Sequence, residues 1–261
     1  PDKVAAYTRA GREDGVMAPV YLFHCAQICE LVRPGDTVID LGCGPATQMA
    51  MAARLNPRSQ FIGLDLSPEM LERAHKYVEE QDLHNVEFRV QDITRLASFA
   101  DNSADVVVST VALHHLPDVE ALEASIKEVA RVLKPGGGVY LVDFGRLRAK
   151  KSIEDFAHQY ADRQPELFTL DYLYSLHAAF SKEEFKALVD EHLAGSACFY
   201  STFVMPFMMA AKSPPREGKV DEEVVRQLHA IRDQLPENHK TDLKDLMTFF
   251  RLGRLRSPLL S

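Results

Sequence analysis

Thr37-Val38-Ile39-Asp40-Leu41-Gly42-Cys43-Gly44-Pro45 decides the fold of this 261-residue chain. Its opening is a short, nearly apolar, β-branched run, which reads as a strand buried on both faces. Two glycines break the run, and Met49, Ala50 and Ala53 then repeat at helical spacing. The same alternation recurs downstream, with strand-like runs at Gln60–Asp65, Val86–Val90, Asp105–Ser109 and Val139–Asp143. Helix-period segments separate them. Met70, Leu71, Ala74 and Val78 follow Ser67-Pro68, an N-cap residue and a first-turn proline. Leu122, Ile126, Val129 and Leu133 precede the helix stop Lys134-Pro135-Gly136-Gly137-Gly138. Strands and helices in alternation give an α/β class, a mostly parallel sheet covered by helices.

Around this core the chain divides into a helical N-terminal cap (1–34), a central domain (35–212) and a helical C-terminal tail (213–261). An aromatic-rich insertion, 145–180, follows the fifth strand, and Ser213-Pro214-Pro215-Arg216-Glu217-Gly218 is the clearest linker. Hydrophobic residues make up 46% and charged residues 26%, an ordinary globular balance. Thirty basic against 38 acidic residues leave a net charge of −8. That argues against nucleic acid or an anionic membrane as partner. The longest apolar run, Phe203 to Ala211, contains Pro206 and is about half a membrane span. Four scattered cysteines make no disulfide framework. The expectation is a cytoplasmic protein. Cys25 and Cys29 share a helix face beside His24 but lack a second ligand pair, so no metal is expected.

Glycines at a strand-to-helix turn let a ligand approach the backbone closely. A dinucleotide fingerprint would want Gly or Ala where Thr47 stands. Asp40, Asp65 and Asp92 all fall at C-terminal strand ends, where open α/β sheets bind ligands, and Asp65 is placed to accept from a ribose diol. Val38–Gly44, Gly63–Leu71, Val90–Ile93, Ala112–Asp118 and Val132–Gly137, in that order and at those intervals, resemble the class I S-adenosylmethionine-dependent methyltransferases. The resemblance is to the small-molecule branch that includes the ubiquinone/menaquinone-type enzymes, and it covers about residues 36–145. It implies a Rossmann-like fold with a seven-stranded, mostly parallel sheet and S-adenosylmethionine as cofactor. It further implies that Gly42, Cys43 and Gly44 face the methionine part and that Asp40 orients the loop or the amino group. On the same resemblance Asp65 binds the ribose, with Leu66 and Met70 walling the adenine. Asp92 and Ile93 meet the adenine edge, and Ser109 and Thr110 border the sulfonium. Ala46 departs from the usual third glycine of the loop.

Methyl transfer is an in-line displacement, so positioning and desolvation do much of the work, and a weak nucleophile also needs a base. His115 is the first choice of base, with His114 beside it; capping of the turn before Asp118 is the structural alternative. Asp143, closing the fifth strand, reads as structural rather than chemical. The insertion holds Phe156, Tyr160, Phe168, Tyr172, Tyr174 and Phe180, suited to walling an apolar or planar acceptor. Substrate-binding candidates are Tyr160, Tyr172 and Tyr174 there, with Tyr7 and His24 from the cap. Tyr7, Arg9 and Arg12 are placed to close over the cofactor, and Arg146, Arg148, Lys150 and Lys151 could meet an anionic group. The strand end Ser109-Thr110-Val111-Ala112 lacks the Asn/Asp-Pro-Pro-Tyr/Phe pattern of nucleic-acid and protein nitrogen methylation. The expected function is methyl transfer to a small-molecule acceptor. The alternatives are a protein or carrier-bound substrate, or an inactive cofactor-binding protein acting through its tail. The tail's two amphipathic segments offer a homodimer interface.

Overall fold

The computed structural model describes residues 15–203 and 205–261. Seven strands form one sheet in the order β3-β2-β1-β4-β5-β7-β6. They are β1 (Thr37–Leu41), β2 (Gln60–Asp65), β3 (Val86–Val90), β4 (Ala104–Thr110), β5 (Leu133–Phe144), β6 (Cys198–Ser201) and β7 (Met208–Lys212). The first five run parallel, and β7 pairs antiparallel with both β5 and β6. The strand order reverses direction beside β1, between β1 and β4, which opens a crevice at the carboxyl ends of those strands.

Nine α-helices are described: α1 (Ala18–Cys29), α2 (Thr47–Leu55), α3 (Pro68–Glu80), α4 (Val119–Val132), α5 (Lys150–His158), α6 (Glu166–Ala178), α7 (Lys182–His192), α8 (Glu222–Gln234) and α9 (Glu237–Leu252). Successive residues of a strand point to opposite faces, so each inner strand feeds two cores. Val38, Phe61, Val106, Tyr140 and Ala210 join the core under α1, α2 and the tail helices. Their neighbours Ile39, Ile62, Val107, Leu141 and Ala211 join the core under α4 and α7. The caps follow the local sequence. Ser67 Oγ accepts from Met70 N at 3.2 Å, Asp118 accepts from Ala121 N at 2.8 Å, and Ser181 with Glu184 forms a reciprocal capping box on α7.

Two expectations change here. The stretch Lys134–Gly138 begins β5 instead of standing before it. Gly137 is required there, since a Cβ would lie 2.9 Å from Asp105 O on β4. The apolar faces of the tail, offered above for a dimer, are buried in the chain's own core: Val224 and Leu228 from α8, and Leu243, Leu246 and Phe250 from α9. Phe250 stacks on Phe23 of α1 with ring centroids 4.9 Å apart. No described helix is long and apolar enough to cross a membrane.

Candidate active site

The turn after β1 sets two glycines, Gly42 and Gly44, on either side of Cys43. Gly42 has φ +70°, and a Cβ there would lie 2.6 Å from Ala112 Cβ. Asp65, at the end of β2, fastens the turn by accepting from Gly44 N through Oδ2 and from Ser67 N through Oδ1, each at 2.9 Å. Asp40 is only 2% exposed, and its Oδ1 has no hydrogen-bond partner among the described residues. Burial and the Asp65 charge push its carboxyl up to about 8. An orphaned buried carboxyl beside a second carboxylate is a cost that a bound cation would relieve. The ammonium end of an amino-acid ligand is such a cation. Next to the cradle, Leu66 and Met70 leave apolar side chains exposed, 65% and 36%, over the strand ends.

Other predicted cofactor residues separate by what they already bind. Asp92 is exposed, with Oδ1 accepting from the Thr94 amide and hydroxyl at 2.8 and 2.7 Å. Ile93 is buried next to it and Thr110 is half-buried. Ser109 is fully buried and donates to Leu41 O at 2.9 Å, so its hydroxyl ties β4 to β1. Burial, Asp40 and Asp65 all push the Cys43 thiol up, which keeps it protonated and not nucleophilic. The glycine turn, the strand-end carboxylates and the exposed apolar flanks are together a donor set that fits S-adenosylmethionine.

Beside this cradle a cavity of about 330 Å³ opens at the ends of β4 and β5. Val111, His114, His115 and Phe144 form its inner wall. Val111 has φ +55°, a left-handed conformation that costs a β-branched residue of order 1–3 kcal/mol. It is held there by donating its amide to Val142 O at 2.8 Å. His114 and Asp143 are both 2% exposed at their side chains, with Nδ1 to Oδ1 at 2.8 Å. Asp143 also accepts from the amides of His114 and Phe144, at 2.8 and 2.6 Å. This fixes the imidazole with Nδ1–H toward the carboxylate, leaving Nε2 as its lone-pair nitrogen. Nε2 is buried without a partner among the described residues. The His115 ring lies 4.1 Å from that of His114, tilted by 41°, and stays exposed. Burial and His114 hold its imidazole below the ordinary value.

The insertion supplies the roof. Phe156, Tyr160, Phe168 and Tyr172 line the cavity, and Tyr172 packs 5.2 Å from Phe144. Tyr174 does not; it is 63% exposed on the outer side of α6. His24 does not either. It lies in the core, its Nδ1 2.7 Å from the Tyr140 hydroxyl, and burial pushes it down to about 3. Tyr7, Arg9 and Arg12 lie outside the described residues. The basic run goes elsewhere: Arg146 donates to Ala179 O at 2.8 Å and Arg148 sits 3.7 Å from Glu183. Cys25 and Cys29 are core residues with their sulfurs 3.9 Å apart.

Sequence reasoning missed the rest of the wall. Asp242, Asp245, Leu246 and Phe249 of α9 line the same cavity, with Phe207 from the β6–β7 loop. Arg163 ties roof to tail, 3.1 Å from Asp242, its guanidinium 4.4 Å from the Tyr160 ring centre. The one signal available was the helical pattern of the tail. A pattern of buried positions does not say which face meets a ligand.

The family described as "Methyltransferase domain" matches residues 33–192, more than half the chain. A ubiquinone biosynthesis O-methyltransferase of Xanthomonas campestris is 30% identical over 167 residues, 62% of this chain and 67% of the relative. A demethylmenaquinone methyltransferase of Listeria welshimeri is 38% identical over 113 residues, 43% of this chain and 46% of the relative. The chain spans less than half the length of the first curated relatives it matches. A SAM-dependent methyltransferase from Aquifex aeolicus shares the fold, with TM-score 0.55 and 16% identity over 79% of this chain and 96% of that one. The family match, the relatives' sequences and the cradle at the β1 turn agree: the chain belongs to the class I S-adenosylmethionine-dependent methyltransferases.

Proposed function

We propose that this chain transfers a methyl group from S-adenosylmethionine to a small molecule held in the aromatic cavity, with His114 as general base. One observation carries the reading. A histidine locked by a buried carboxylate, with its second nitrogen unpartnered among the described residues, lines a half-open cavity on the same sheet edge as Asp40. The cofactor, when bound, supplies a methyl group on a positively charged sulfur. Asp40 and the glycine turn hold its amino-acid end, and Asp65 holds its ribose. The aromatic walls exclude water and fix the acceptor for in-line attack. In this reading His114 Nε2 would take the proton from the acceptor's nucleophilic atom as that atom bonds to the methyl carbon, which requires the seated acceptor to reach a nitrogen that is closed to solvent in the free chain. The bound cofactor would supply that methyl carbon, its sulfur keeping the electron pair of the bond given up. Asp143 holds the ring and balances the imidazolium charge.

A cavity of about 330 Å³ favours a small acceptor over a protein segment. The named relatives act on ubiquinone precursors and demethylmenaquinone, and aromatic walls suit a planar ring. Four free cysteines suit a reducing compartment, so the location we propose is the cytoplasm. Calorimetric titration with S-adenosylmethionine and S-adenosylhomocysteine tests the cofactor assignment. Micromolar binding is expected. Asp65→Ala should weaken it by roughly 5- to 150-fold, the equivalent of about 1–3 kcal/mol for lost charged hydrogen bonds. Absence of binding to either compound would refute the reading.

A further inference from the structure

A second cleft, of about 670 Å³, lies along the other flank of α9 from the acceptor cavity. With a turn every ~3.6 residues, Asp242, Asp245 and Phe249 fall on one side of the buried stripe of Leu243, Leu246 and Phe250. Lys240, Lys244, Met247 and Arg251 fall on the opposite side and line the cleft, with Arg232 from α8 and Arg256 beyond α9. Five basic side chains thus share one lining with a single acidic side chain, Asp233, in a chain of net charge −8. Asp233 is already held by Arg232 at 2.9 Å, and Lys240 is held by Glu237 at 2.8 Å. Lys244, Arg251 and Arg256 are exposed and make no ion pair among the described residues. The helix dipole accounts for Arg251 in the last turn of α9, but not for Lys244 about two turns earlier. The walls are fixed. Buried Gln27 of α1 donates to Arg256 O at 3.0 Å and to Ser257 Oγ at 2.6 Å, and Arg232 Nη1 donates to Leu260 O at 3.0 Å. Leu243, Met247 and Pro258 supply the apolar part of the lining, with the alkyl stems of the lysines.

We infer that this cleft binds a phosphate monoester carried on an apolar body. The phosphate lies at Lys244, Arg251 and Arg256, and the apolar body lies against Met247 and Pro258. Guanidinium forks match phosphate oxygens in pairs, and a dianion here meets three cations at once. Walls already held by hydrogen bonds keep the cost of ordering low. Inorganic phosphate would use only the charged part of the lining and an uncharged alcohol only the apolar part, so the class is defined by having both. The site is separate from the cofactor cradle and does not depend on the methyltransferase reading. Its ligand bears on α9, whose other flank walls the acceptor cavity, so binding stabilises that helix in its docked position.

The test uses hexyl phosphate, inorganic phosphate and hexanol, each titrated calorimetrically into the full chain at low and at high salt. Hexyl phosphate is expected to bind about tenfold or more tighter than either of the others, and to weaken as salt rises. It should also raise the melting temperature. Arg251→Gln combined with Arg256→Gln should weaken hexyl phosphate by about tenfold or more, with S-adenosylhomocysteine affinity unchanged. Phosphatidylcholine vesicles carrying phosphatidic acid distinguish the source. Cosedimentation that the double variant loses would assign the phosphate to a lipid surface, and hexyl phosphate binding without cosedimentation would assign it to a free molecule. No saturable binding of hexyl phosphate, equal binding of the three probes, or binding untouched by the double variant would overturn the inference.

Discussion

Asp40 is held at a cost that its own turn does not relieve. Its carboxyl is shifted from an ordinary 3.8 to about 8, by burial first and by Asp65 second. Between those values the folded chain binds a proton that the unfolded chain has released. The free protein therefore loses stability as pH rises from about 4 to about 8, and the full benefit of the protonated form exists only below that window. Asp40→Asn should flatten this limb in urea titrations at pH 5 and pH 8.5, and should weaken cofactor binding at the higher pH; an unaltered limb would reject the assignment. At the chamber's inner wall the two histidines separate. His114→Ala should lower kcat by about 10²- to 10⁴-fold with the cofactor Kd unchanged, and His115→Ala by much less. Both histidines are legible in the sequence, where Leu113 and Leu116 point to His115 as the one facing the cleft. What favours His114 in the function we propose is the 2.8 Å approach of Asp143, 29 residues away, which the β4–β5 pairing creates.

Elements were more legible than residues where burial imposes a period. β1 and β2 run between the very residues at which the apolar runs begin and end, because both faces of those inner strands are covered, while β3 at the sheet's edge keeps its expected bounds with its residues only partly buried. The antiparallel β7 lay inside the apolar run from Phe203, and nothing local states the direction in which a strand pairs. Its approach is set by backbone contact. A Cβ on Gly145 would lie 2.0 Å from Pro206 O, and one on Gly253 would lie 1.8 Å from Ser201 O. Two glycines thus pinch the β6–β7 loop that carries Phe207 into the cavity. Gly145→Ala must push that loop away. It should cost about 1–3 kcal/mol of stability and raise the acceptor KM more than the cofactor Kd, measurable by thermal melts and by paired titrations. An unshifted melting temperature would show the loop to be more compliant than this contact implies.

At the scale of the whole molecule, the cofactor half and the acceptor half differ in how far along the chain their parts are drawn. The cradle comes from Asp40 to Asp92, a contiguous piece of alternating strand and helix, and its motifs could be read directly. The chamber joins residue 16 to residue 249, and its far wall is set by α9 docking on α1. Phe250→Ala, which removes the ring stacked on Phe23, should cost about 3–5 kcal/mol and lower the urea midpoint; acceptor binding should be lost at temperatures that leave cofactor binding intact. If both binding activities fail at the same temperature, the two halves are one cooperative unit. During synthesis the same geometry sets an order of events. Once the ribosome has released the segment through β5, the cradle and the strands that hold it are all present, whereas residues 242–249 emerge about 100 residues later, roughly five to twenty seconds at ordinary elongation rates. A nascent chain can therefore gain the means to hold its methyl donor well before it has a closed room in which to spend it.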